Sequence, residues 1–111
     1  MYINGVKGTP AAAPAGNLDP GTVGIGQFYV GGGYNFNGLI ADVQLYNTSL
    51  DANQVAALYR EGVGGAPITI QNLVGWWPLN GNANDYSGNN NNGQAGNVIY
   101  TGSWTNGYTA P

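Results

Sequence analysis

The clearest alternation in the chain runs from Leu39 to Tyr46. Leu39, Ala41, Val43 and Leu45 fall on one face of an extended backbone, and Ile40, Asp42, Gln44 and Tyr46 on the other, so period two predicts a half-buried strand. The period then changes. Asp51 followed by Gln54 has the form of a capping box, and Leu50 with Val55 supplies the hydrophobic staple that brackets it. Val55, Leu58 and Tyr59 share one helical face, and Gly62 stands where a left-handed C-terminal cap belongs. A helix from about Ala52 to Arg60 is predicted, with its apolar stripe packed on a sheet.

Other elements follow from turn chemistry. Met1 to Lys7 reads as a hairpin around Asn4-Gly5, a step that readily takes positive φ at both central positions. Thr9 to Asp19, interrupted by Pro10 and Pro14, reads as an exposed loop. Val23 to Val30 resumes strand character, with glycines where a bulge fits. After the linker Gly62 to Pro67, Ile68 to Leu79 reads as one long strand broken near Gln71-Asn72. Asn80 to Gly93 is a polar loop with turn signals at Asn80-Gly81, Ser87-Gly88 and Asn92-Gly93. Two weaker strands are predicted at about Gln94 to Tyr100 and Ser103 to Tyr108.

Composition agrees with an all-β chain of many short strands. The 111 residues are a one-domain length, and 20 Gly, 16 Asn and six Pro imply that much of it is turn. Aromatic residues, 12% of the chain, supply core mass that aliphatics would otherwise provide. Lys7 and Arg60 are the sole cations against Asp19, Asp42, Asp51, Glu61 and Asp85. Without a basic surface, neither nucleic acid nor anionic lipid is an expected partner. No apolar run approaches the ~18 residues of a spanning helix, so membrane insertion by this segment is not expected either.

The absence of Cys and His removes disulfides, thiolate metal sites and the usual imidazole base. The five acidic residues belong to separate local motifs rather than to the paired carboxyls a glycosidase requires. No enzyme activity is expected. Met1-Tyr-Ile-Asn lacks a positively charged, apolar-cored leader, so export would depend on a targeting segment outside these residues.

Three motifs carry a resemblance: the Tyr2-to-Gly5 hairpin, the Gly38-to-Asn47 strand leading into the Leu50-to-Tyr59 helix, and Leu73-Val-Gly-Trp-Trp-Pro-Leu-Asn-Gly81 continuing through Asp85-Tyr-Ser-Gly-Asn-Asn-Asn-Asn-Gly93. They resemble parts of a laminin-G-like, concanavalin-A-like lectin/glucanase superfamily domain, as found in microbial surface proteins. Residues 1–62 resemble the end of such a domain and 68–111 its start, joined by 63–67, so the order is permuted or fragmentary. The family's middle portion has no counterpart here. Of an acidic pair common in the family's penultimate strand, Ala41 stands at the first position and only Asp42 remains.

The resemblance implies an all-β, jelly-roll-like antiparallel β-sandwich with one short α-helix. It further implies a non-catalytic extracellular or cell-surface module for adhesion or recognition, with carbohydrate the leading ligand class. The alternative is a self-associating subunit of a surface layer or extracellular filament, since a sandwich with few strands leaves edges for another copy to cover. A spacer in a larger repeat protein is a third reading.

Trp76 and Trp77 are adjacent, so in a strand they point to opposite faces, one toward the core and the other toward an open face or an interface. An exposed indole near tyrosines would stack on a pyranose ring while asparagines bond its hydroxyls. Packing is the other reading, and both apply equally to Tyr86, Tyr100, Trp104 and Tyr108. Asp85 and its asparagine neighbours offer the hard oxygens that calcium prefers. The competing account is an Asx-turn in which the carboxylate holds backbone amides. Asn47-Thr-Ser49 is a candidate N-glycosylation sequon.

Overall fold

The computed structural model describes residues 1–9, 23–27, 34–62 and 65–101. Among these the chain is β-rich with one helix, in the order β1 (Tyr2–Ile3), β2 (Val6–Lys7), β3 (Val43–Tyr46), α1 (Ala52–Glu61) and β4 (Leu73–Trp77). They form two small antiparallel sheets, β1 with β2 and β3 with β4. Asn4 and Gly5 both take positive φ, 51° and 74°, as a primed hairpin turn requires. Tyr2 thereby faces Lys7, and Ile3 faces Val6.

The β3–β4 sheet joins the two halves of the chain. Val43 pairs with Trp77, Gln44 with Trp76, Leu45 with Gly75 and Tyr46 with Leu73. The register shifts at Leu45/Tyr46, leaving Val74 as the extra residue of a bulge. β4 begins where its break was predicted: Asn72 has φ 64° and Leu73 N–H donates to the Ile70 carbonyl at 3.3 Å. It ends at Trp77 because Pro78 has no N–H to continue the ladder and Leu79 turns to φ 58°.

Two predicted strands are corrected. The alternation from Leu39 gives ladder only from Val43, because Asp42 takes φ 50°, sending its N–H to the Pro78 carbonyl at 3.2 Å. Leu39 is left exposed. Gln94 to Tyr100 forms no strand: Asn97 has φ 53°, which interrupts the extended backbone, and Ile99 is 88% exposed. Of Val23 to Val30, the described residues 23–27 make a single bridge, Gln27 to Asn35. The 10–19 part of the predicted loop and the Ser103-to-Tyr108 strand, with Trp104 and Tyr108, lie outside the described residues.

The helix forms for the reason its sequence gives. Asp51 Oδ1 accepts from the N–H groups of Asn53 and Gln54 at 2.8 and 2.9 Å, and Gln54 Oε1 accepts from Asp51 N–H at 2.9 Å, closing the capping box. Gly62 takes φ 70° and donates to the Leu58 carbonyl, but its ψ of −167° lies outside the left-handed helical region predicted for the cap. Val55 and Leu58 are half-buried, while Tyr59 is 59% exposed. Its stem nevertheless rests on the hairpin turn, since a Cβ at Gly5 would come within 3.0 Å of Tyr59 Cβ and Cγ. Asp51→Ala is expected to cost about 1 kcal/mol through the lost cap, read from a thermal melt of far-ultraviolet dichroism.

The packed centre is small. Leu73 and Trp77, at 8% and 7% exposure, are the buried hydrophobic residues among those described, and they flank buried Gly75 on one face of β4. A Cβ on Gly75 would collide with Trp77 Cη2, so the indole lies where only glycine leaves room for it.

Candidate functional site

The adjacent tryptophans separate as strand geometry requires. Trp77 turns into the packed face, and its Nε1–H donates to the Asn91 carbonyl at 2.9 Å. Trp76 shares the opposite face with Gln44, its cross-strand partner. There its ring meets Tyr86 edge to face, with centroids 6.2 Å apart and planes at 66°. Tyr86 is 54% exposed and its hydroxyl accepts from Asn82 Nδ2–H at 3.2 Å. Two sequence candidates, Trp76 and Tyr86, are thus brought together.

A polar chain runs beside this pair. Trp76 Nε1–H donates to Asp42 Oδ1 at 2.7 Å, Gln44 Nε2–H reaches both Asp42 oxygens at 3.2 Å, and Tyr46 O–H donates to Gln44 Oε1 at 2.8 Å. Burial, then the negative charges of Asp42 and Glu61, push the Tyr46 pKa above its ordinary value. The phenol therefore keeps its proton and remains a donor across physiological pH. Asp42, Gln44 and Tyr46 were not singled out as site residues by sequence. The signal was nonetheless present, since all three fall on the second face of the Leu39-to-Tyr46 alternation.

This polar face looks into a groove of about 480 Å³ between β3, α1 and the β1–β2 hairpin. Asp42, Gln44 and Tyr46 line it from the strand side, Tyr2 from the hairpin, and Tyr59 and the half-buried Leu58 from the helix. None of the described candidate residues read from the sequence, Trp76 and Tyr86 included, is among its lining residues. Asn47 is exposed just after β3, its N–H donating to the Asn72 carbonyl at 2.9 Å, and Tyr100 is half-buried near the end of the described chain.

Asp85 organises the Asn-rich loop against the far edge of β4. Its Oδ1 accepts from the N–H groups of Trp76 and Ser87 at 2.9 and 2.8 Å, and Oδ2 accepts from Asn91 N–H at 2.8 Å. Asn92 Oδ1 in turn accepts from Asp85 N–H at 2.9 Å. Asparagine side chains complete the seal: Asn89 Nδ2–H reaches the Leu73 and Val74 carbonyls, and Asn91 Nδ2–H the Val74 carbonyl. Tyr86 N–H closes on the Trp76 carbonyl at 2.8 Å. Both Asp85 oxygens thus face N–H donors, an arrangement that favours the anion itself, and the described residues contain no cluster of three acidic, His or Cys side chains able to hold a metal.

Desolvation pushes the Asp85 pKa up, but the amides of Trp76, Ser87 and Asn91 and the Ser87 hydroxyl outweigh it and hold the value below the ordinary Asp range. The sign follows. With the folded value depressed, the loop's stabilisation is complete above the unfolded value near ~3.9 and is lost as pH falls through the lower folded value. A melting series across this acid range should fall steeply for the native chain and less steeply for Asp85→Asn.

No protein-family model matches the chain, and no similar curated protein or solved structure was found. Among the described residues no helix is long and apolar enough to cross a membrane.

Proposed function

We propose that this chain is a non-catalytic module for adhesion or recognition at the cell surface or outside the cell, that carbohydrate is its ligand class, and that its scaffold is a permuted laminin-G-like, jelly-roll-like sandwich. The observation that carries the ligand class is the Trp76–Tyr86 pair beside the Asp42–Gln44–Tyr46 chain. Aromatic rings bind the C–H faces of a sugar, and adjacent fixed polar groups bond its hydroxyls. The scaffold is supported by the antiparallel pairing of β3 with β4, which sets the motif resembling a domain's end beside the motif resembling its beginning. The family likeness rests on the three sequence motifs themselves.

A glycan array followed by calorimetry tests the reading. Weak binding is expected, falling about tenfold or more in Trp76→Ala. An array without a hit removes carbohydrate as the ligand class.

A second reading, self-association in a surface layer or filament, is favoured by one observation. Ile3, Val6, Phe36, Leu39 and Ile70 are all largely exposed, apolar surface that a second copy would cover. Light scattering over a wide concentration range distinguishes the two: a monodisperse monomer argues for the recognition module alone.

A further inference from the structure

We propose that the groove between β3 and α1 receives a protonated amine carried on a sugar ring, making amino sugars the preferred ligands of the module. This rests on the glycan-recognition reading and narrows it to a chemical class.

The groove combines one carboxylate with aromatic walls. Asp42, Tyr2, Tyr46 and Tyr59 all line it, and among the described residues neither Lys7 nor Arg60 contributes to the lining. A cation gains from both features, through charge-assisted hydrogen bonding to the carboxylate and attraction to the ring faces. An acidic sugar gains from neither and meets Asp42 as a like charge.

The hydrogen bonds at Asp42 leave a place for the amine. A carboxylate offers about four lone-pair positions over its two oxygens. Oδ1 takes the short 2.7 Å bond from the Trp76 indole, whereas Oδ2 takes the 3.2 Å contact from a Gln44 nitrogen that is shared with Oδ1. Oδ2 is therefore the under-used acceptor of the pair. Gln44 is itself held by the Tyr46 hydroxyl, so the carboxylate is fixed from two sides before a ligand arrives.

Size and position also fit. A volume of about 480 Å³ lies within the range of small-molecule sites. Trp76, which meets Tyr86 through its ring, also donates its indole N–H to Asp42, so the aromatic pair and the groove's carboxylate are joined by one hydrogen bond.

The test is calorimetry at low salt with a glucosamine trisaccharide, its fully N-acetylated counterpart, a galacturonate trisaccharide and spermidine. The glucosamine trisaccharide should bind about tenfold or more tightly than the acetylated one, the size of one charge-assisted contact, and galacturonate should not bind. Asp42→Asn should erase that preference. Because Asp42 also holds Trp76, Tyr59→Ala serves as a second variant outside the Asp42 network, and it should weaken glucosamine binding several-fold at a temperature where far-ultraviolet dichroism shows the variant folded, since the Tyr59 stem also packs on the hairpin turn. Equal affinity for the free and acetylated trisaccharides would overturn the amine assignment while leaving glycan recognition standing, as would a failure of both trisaccharides alongside hits elsewhere on the array. Spermidine binding as tightly as the sugar would overturn it as well, showing attraction to charge alone. Failure of every sugar tested and of the array would remove the glycan reading beneath it.

Discussion

Trp77→Ala should lose about 3–5 kcal/mol of stability, the usual cost of deleting a large buried aromatic side chain. Small domains hold only about 5–15 kcal/mol in total, so the variant should give up a large share of its stability. The reason is how little else is packed: among the described residues Leu73 is the other buried hydrophobic side chain, and it lies on the same face of β4. Trp77→Phe should be much milder, because the Asn91 carbonyl that loses its indole donor is exposed and can turn to water. Gly75→Ala attacks the same packing from beneath, forcing the indole off its seat at a cost of about 1–3 kcal/mol. Urea titration followed by tryptophan fluorescence measures all three. A Trp77→Ala midpoint close to the native one would mean that the folded state does not depend on this centre.

The second large effect is expected at Asp85. Asp85→Ala strands the amides of Trp76, Ser87 and Asn91 together, and with hydrogen bonds to a charged group worth about 1.5–3 kcal/mol each, partial rescue by water should leave a loss of about 2–3 kcal/mol. In a domain of this size that is a fall of roughly 10 °C or more in Tm. Hydrogen exchange locates the damage: the Trp76, Ser87 and Asn91 amides should lose protection before the amides of α1 do. Asp85→Asn keeps one carbonyl acceptor and should sit between the two. An unchanged Tm in Asp85→Ala would show that the asparagine side chains hold the loop without it.

What could be read from the sequence was what local interactions decide. The capping box of α1, the Asn4-Gly5 turn and the break before Leu73 each depend on residues a few positions apart, and each forms as expected. The division of labour between Trp76 and Trp77 followed from strand alternation, though which one would be buried did not. The start of β3 was misread for a physical reason. Asp42 leaves the extended region, and its carboxylate is held by an indole 34 residues away, a contact that no window of neighbouring residues contains. The Gly75 requirement is hidden in the same way: nothing in Leu73-Val-Gly-Trp-Trp says that the second indole folds back over the glycine. Gln94 to Tyr100 reads as a weaker strand, yet Asn97 takes the left-handed conformation that asparagine tolerates best of the non-glycine residues.

The seal that the Asn-rich loop places along β4 limits the geometry of any larger structure. Growth of a filament by strand addition consumes two exposed borders per subunit, one to receive and one to offer. In the β3–β4 sheet the border beyond β4 is occupied by side chains of the same chain, since Asp85, Asn89 and Asn91 hold backbone groups that an incoming strand would need. Copies meeting through the β3 border would exhaust each other's supply at the first encounter. Such a contact is self-complementary and stops at two, so a fibre made of this chain would not grow by strand addition to the β3–β4 sheet.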